Sequence, residues 1–247
     1  MEKAEYYRWM KTLIETEQDG NNHHVTKRSR DTKLLKKSLH EAGIDFTKCA
    51  ILINQDQGYS KVNGIKLNIM YPISYWNAME TYHSMKKTNW FQFKGKNYIP
   101  LQDKENPDKT RQPLLDQFSS RAGADIVITT KGSIPSTFSV KTLDEEYYTA
   151  MAKSRYVLCP HYVDNPGTFE HMWSYRFIEA MMVKSMPLLY KETPLSSNFT
   201  NGFNFVWNDL DSYPEPDQSL LDENFVKAKE KHSLSAENIT NIKNTLI

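Results

Sequence analysis

The chain has 247 residues, 39% of them hydrophobic and 25% charged, with a formal net charge of +1. That length buries a substantial core as one large domain or two small ones, and the composition is that of an ordinary folded protein, not a disordered or fibrous one. A charge so near zero excludes recruitment of nucleic acid or a membrane surface by a global field, so any phosphate-holding site must be local.

Residues 4 to 17 place Tyr7, Met10, Leu13 and Ile14 at helical spacing and predict an amphipathic helix. This amino-terminal stretch interleaves charged and apolar residues, so it reads as neither a signal peptide nor an anchor, and no later run approaches the ~18 apolar residues of a span. The expectation is a cytoplasmic protein with no membrane span. The basic stretch His23, His24, Lys27, Arg28 and Arg30 has no HxxxH or CxxC partner. It reads as a solvated loop, with phosphate or acceptor contact as the alternative.

Asp31 or Thr32 can cap a second helix, through Leu34, Leu35, Leu39 and Ala42, that stops at Gly43. AILIN, residues 50 to 54, is a short buried strand, and the polar run after it puts an acid, Asp56, at the strand end. From Leu67 the text turns aromatic. Pro72 breaks any helix before it, and residues 75 to 86 form a short helix or an irregular connection. The rings here, Tyr71 and Trp76 among them, serve either core packing or stacking on a sugar face.

Trp90 to Phe93 reads as a strand, followed directly by Lys94-Gly95-Lys96, where glycine between two lysines lets backbone and an ammonium approach a phosphate. Arg111 stands at the head of a helix through Leu114, Leu115 and Phe118 and brings a second cation. ADIVIT, residues 124 to 129, is the next parallel strand, and Asp144 to Lys153 is a helix. Then comes the most informative stretch, Lys153 to Tyr190: a strand from Tyr156 to Cys159, a polar loop, a helix from near Trp173, and a strand from Met186 to Tyr190. In such a βαβ unit the loop and helix start lie at the carboxyl ends of parallel strands, where ligands bind. Arg176 and Glu179, three residues apart in the first helical turns, can face one crevice or form a mere surface pair. The two cysteines, Cys49 and Cys159, fall inside apolar strands and read as buried thiols, with a disulfide as the alternative.

Phe203 to Val206 is a possible edge strand, and Leu220 to Lys229 and Ala236 to Leu246 are closing helices. The expected organisation is α/β: residues 1–87 a small amino-terminal acceptor-side lobe, 88–217 a Rossmann-like nucleotide-sugar-binding lobe, and 218–247 the closing helices.

Four patches, LINQD at 52 to 56, NIMYPISYW at 68 to 76, FQFKG at 91 to 95 with Arg111 downstream, and SRYVLCP…SYRFIEAMMVKSMPLLY at 154 to 190, resemble the CAP10-like glycosyltransferases of family 90. That family includes protein O-glucosyl- and O-xylosyltransferases. The last patch is also similar to the nucleotide-binding part of exostosin-like transferases, family 47. The resemblance implies a GT-B-like architecture of two Rossmann-like lobes, here with a reduced amino-terminal lobe. It further implies metal-independent inversion with a UDP-sugar, UDP-xylose or UDP-glucose, as donor substrate and no cofactor.

By the resemblance Asp56 is the catalytic base, though the spacing of its motif is one residue shorter and Gln55 replaces an arginine. Lys94, Gly95 and Arg111 contact the donor phosphates, with lysine in place of a bidentate arginine. Arg176 lies on the diphosphate, Ser174 and Tyr175 bring backbone amides to the helix start, and Glu179 takes ribose hydroxyls. His161 and Asp164 are candidates for sugar contact, as are Tyr71 and Trp76.

The chemistry asks for the same parts: a base for a weakly nucleophilic hydroxyl and a cation cluster for the leaving diphosphate. Asp209-Leu-Asp211 is the only formal DxD, and it falls past the last strand. The expected function is sugar transfer from a UDP-sugar to a carbohydrate, glycoprotein or other hydroxyl acceptor. The alternative is a catalytically silent nucleotide- or glycan-binding module; a nucleotide-dependent oxidoreductase lacks its GxGxxG after a strand.

Overall fold

A computed structural model describes residues 30–54, 58–96, 111–129, 138–139, 142–160 and 172–246. The amphipathic stretch 4 to 17 and the basic loop before Arg30 lie outside them. The described residues form two compact units, one running up to Trp76 and resuming at Lys229, the other Asn77–Ala228. The closing helices thus divide differently from the expected blocks, since the last segment belongs with the first.

In the first unit, helix α1 (Arg30–Glu41) buries Leu34, Leu35 and Leu39. It ends in a Schellman turn: Gly43, at φ +68, and Ile44 donate to the carbonyls of His40 and Leu39 at 3.0 and 2.9 Å. Strands β1 (Ile51–Asn54), β2 (Tyr59–Val62) and β3 (Ile65–Asn68) follow as an antiparallel meander. The expected second Rossmann-like lobe is therefore corrected for these residues. The connections β1–β2 and β2–β3 are too short for the crossover that parallel strands need, so only hairpins close. Leu35, Leu39, Ile51, Ile53, Val62, Leu67 and Met70 form one core with Ile242 of the last helix.

That carboxyl-terminal segment is pinned by His232, 1% exposed, whose ring faces the Ile69 carbonyl at 2.9 Å while its own carbonyl accepts from the Tyr71 amide at 2.7 Å. Burial pushes the His232 pKa down to about 4 from 6.5. A base with a depressed folded-state pKa takes its proton more readily in the unfolded chain, so its contribution is complete above pH 6.5 and is lost as pH falls toward 4. The expected loss is about 3 kcal/mol across that window. Urea unfolding at pH 7 and pH 4 measures it, and His232→Gln should flatten the difference.

The second unit carries helix α2 (Ile73–Met79) into its first turn and then a five-stranded sheet. In chain order the strands are β4 (Asn89–Lys96), β5 (Ala124–Thr129), a small ladder of β6 (Phe138–Ser139) and β7 (Thr142–Leu143), β8 (Ser154–Leu158), β9 (Met186–Leu189) and β10 (Val206–Trp207). The sheet order is β10-β9-β8-β4-β5, and every pairing is parallel. Helices α3 (Gln112–Ser119), α4 (Glu145–Ala152), α5 (Tyr175–Met182) and the short α6 (Ser197–Thr200) lie between the strands in sequence; α7 (Gln218–His232) and α8 (Ala236–Asn244) follow the last strand.

Alternation along the strands decides the layers. Phe91, Phe93, Tyr156, Leu158, Met186 and Leu188 share one face, covered by Leu114, Leu115 and Phe118 of α3, by Tyr213 and by Leu221 of α7. Helix α4 packs on β4 and β8, and α5 on β8 and β9. Right-handed crossovers in opposite directions from β4 and from β8 put α3 and α5 on opposite faces, which is the doubly wound arrangement. Both cysteines are buried free thiols, so the disulfide alternative falls, but neither lies inside a strand: Cys49 follows a short 3-10 turn ahead of β1, and Cys159 comes just after β8. Cys159 has its pKa pushed up to about 12, foremost by burial.

Candidate functional site

The chain leaves β4 outward to the edge strand β5, then returns across β4 to β8 and continues the other way. The strand order therefore reverses between β4 and β8, and the connections from their carboxyl ends diverge to opposite faces, leaving a crevice. The registers open it further. Pairing of β4 with β8 stops at Gln92 opposite Val157, whereas pairing with β5 runs on to Lys96 opposite Thr129. Lys94-Gly95-Lys96 thus belongs to the strand and is not the turn after it, a correction to the sequence reading. The cause is β5, which continues alongside and holds these residues extended.

Arg176 occupies the ground that β8 gives up. It sits in the first turn of α5, and its Nη2 donates to the Lys94 carbonyl at 2.9 Å. The guanidinium carbon lies 4.4 Å from the centre of the Phe93 ring and 5.5 Å from that of Tyr147. Nη1 is buried and has no hydrogen-bond partner among the described residues. A cation held by one carbonyl and two ring faces, with a donor unspent, is suited to an anion. Arg111, the residue before α3, carries a pKa pushed down to about 10, first by burial and then by the charge of Arg176. Two guanidinium groups that repel each other in a desolvated place gain when an anion arrives between them.

Gly95 is required by this approach. A Cβ there would stand 2.8 Å from Arg176 Nη2 and 3.1 Å from Phe93 Cζ, so the guanidinium would have to leave its seat. Gly95→Ala should keep the fold, since the displaced atom is the end of a flexible side chain, while lowering affinity for pyrophosphate about five- to tenfold in a calorimetric titration.

Lys94 bonds Glu146 Oε1 at 2.7 Å across an exposed carboxylate, an ion pair weak enough for a ligand phosphate to displace. Glu179 is 1% exposed and accepts from the Tyr147 hydroxyl at 2.9 Å. Arg176 and Glu179 do not pair with each other, so the surface-pair alternative fails: each is held by a different element. Ser174 precedes α5 in extended conformation, φ −148 and ψ 130, and its side chain does not cap the helix. Tyr175 packs edge-on against Trp173 at 4.6 Å.

Tyr71 and Trp76 are corrected. Both are 0% exposed and meet edge-to-face at 6.2 Å in the interior of the first unit, so neither offers a ring face to a sugar. Asp56, His161 and Asp164 lie outside the described residues. Asn54 and Gly58, on either side of residues 55–57, line a small recess with Asp31, Tyr59 and Ser60. Asp209 of the formal DxD bonds Lys191 at 2.6 Å. Among the described residues no three His, Cys, Asp or Glu side chains cluster to hold a metal, and no helix is long and apolar enough to cross a membrane.

Sequence reasoning missed Tyr147 and Glu146. EEYYTAM reads as the start of an amphipathic helix, and nothing local ties Tyr147 to a carboxylate 32 residues on. The chain is thus a mixed α/β protein with a parallel five-stranded sheet of Rossmann-like type and a cation-lined crevice at its switch point. No protein-family model matches it, and no curated protein does.

Proposed function

We propose that the crevice holds the diphosphate of a UDP-sugar and that the chain transfers the sugar, xylose or glucose, to a glycan or other hydroxyl acceptor. One observation carries this reading: the unpartnered Nη1 of Arg176, buried beside Arg111 at the point where the strand order reverses. The parallel-sheet unit then serves as the donor-binding lobe of the enzyme.

In this mechanism Arg111 and Arg176 hold the diphosphate, Lys94 exchanges Glu146 for a phosphate oxygen, and the first amides of α5 add their dipole. Asp56 takes the proton of the acceptor hydroxyl as its oxygen bonds the anomeric carbon from the face opposite the diphosphate. The bond from that carbon to the phosphate oxygen breaks, its electron pair leaves with UDP, and the anomeric configuration inverts. Three cations meet the developing negative charge without a divalent ion. Glu179 serves the ribose hydroxyls only if Tyr147 shares or yields its carboxylate.

The test is release of UDP from UDP-xylose and UDP-glucose with a panel of glycan acceptors, with and without EDTA. Release that persists in EDTA is expected. No release from any donor, with UDP still bound, would leave a nucleotide-binding module and overturn the enzyme.

A further inference from the structure

Lys87 lies just ahead of β4, at the amino ends of the parallel strands and away from the crevice. It is half-buried. Among the described residues its amine pairs with no carboxylate, and its one hydrogen bond goes to the hydroxyl of Ser185, 2.7 Å away and 0% exposed. The group beside it is another cation. Arg155 of β8 donates from Nη1 to the Lys87 carbonyl at 3.3 Å, bonds Glu215 through Nε, and lies over the Trp90 ring at 4.4 Å. Burial, and after it the charge of Arg155, push the Lys87 pKa down to about 7, against an upward pull from Glu215.

Ser185 decides what this amine can do. Its Oγ stands 2.9 Å from the carbonyls of both Met151 and Ser154, so its single proton is spent on them and its oxygen accepts from Lys87. A neutral amine held in this way keeps its lone pair unengaged and is a nucleophile.

We infer that Lys87 is a carbon dioxide site, its amine adding reversibly to CO2 to form a carbamate whose negative charge Arg155 stabilises. The nitrogen lone pair forms an N–C bond to the carbon of CO2, and one C=O π pair moves onto oxygen. The nitrogen releases one proton to water, leaving an N–H and a carboxylate. The step turns a cation beside a cation into an anion beside a cation, so repulsion from Arg155 becomes attraction. An acyl donor or an aldehyde would leave a neutral amide or an imine, which gains nothing from that charge, and each is bulkier than a linear molecule of three atoms. The site belongs wholly to the parallel-sheet unit and does not depend on the nucleotide reading.

The full chain, equilibrated at about pH 7.5 with carbon-13 bicarbonate and its dissolved CO2, is treated with triethyloxonium ion, which traps a carbamate as its stable ethyl ester. Peptide mass spectrometry then locates the label. A lysine in water is only about one part in a thousand free base at that pH. Occupancy at Lys87 should be at least about tenfold above that at its exposed neighbour Lys86. Arg155→Gln should lower it about fivefold, because the guanidinium both frees the amine and holds the product. No label on Lys87, or no more than on Lys86, overturns the inference, and so does undiminished occupancy in Arg155→Gln. Should that variant fail to fold, the comparison of Lys87 with Lys86 within wild type decides alone.

Discussion

Arg176→Ala should lower the affinity for UDP by about 30- to 100-fold while leaving the folded state in place. The first half follows from what the side chain offers: a half-buried guanidinium with a buried, unspent Nη1 forms charge-assisted hydrogen bonds to phosphate, each worth about 1.5–3 kcal/mol net. The second half follows from how it is held. Its one hydrogen bond goes to the Lys94 carbonyl at the mouth of the crevice, and Phe93 beneath it is anchored by the sheet core with Phe91 and Leu158. Loss of Arg176 also relieves the repulsion that, second to burial, depresses Arg111, so some anion affinity survives. Calorimetric titration with UDP, alongside thermal unfolding, reads both halves. An unchanged dissociation constant would remove the crevice as the donor site.

Asp56→Asn should cut the turnover of UDP-sugar by about a thousandfold, within the range by which a positioned base accelerates proton transfer. Asparagine keeps the shape of the side chain and cannot accept the acceptor's proton. UDP affinity should stay within about twofold of wild type, because the cations that hold the diphosphate belong to the parallel-sheet unit. The informative control is Asp31→Asn: Asp31 lines the recess beside Asn54 and Gly58 and is the carboxylate there that sequence spacing did not single out. Full activity in Asp56→Asn with loss in Asp31→Asn would transfer the base to Asp31. Full activity in both would remove the base from this part of the chain.

The elements were largely legible. Leu34, Leu35 and Leu39 at helical spacing before Gly43 gave α1 and its stop, and the apolar runs at 50–54, 124–129 and 156–159 gave strands to within two residues, because periodicity and glycine act through local sterics. Proline at 72 and the helix from Asp144 were legible for the same reason, but the cap expected at Asp31 or Thr32 was not the start, since α1 already includes Arg30 and holds both residues inside its first turn. Arg111 and Arg176 were legible as cations at helix starts.

The partners of those elements were not. Local pattern could not say that β4 would run on through Lys94 and Gly95, because the reason is β5 alongside it. Nor could it say that Tyr71 and Trp76 would be sealed inside, since an aromatic run looks the same whether it packs or stacks on a ligand. The sequence by itself determined which segments are helix and strand and which residues carry charge, because these depend on neighbours a few positions away. Only the tertiary structure decided that Arg176 faces Lys94 and the rings of Phe93 and Tyr147 instead of Glu179. That choice depends on the reversal of strand order between β4 and β8, which brings residues from β4, α4 and α5 into contact across separations that no local pattern records.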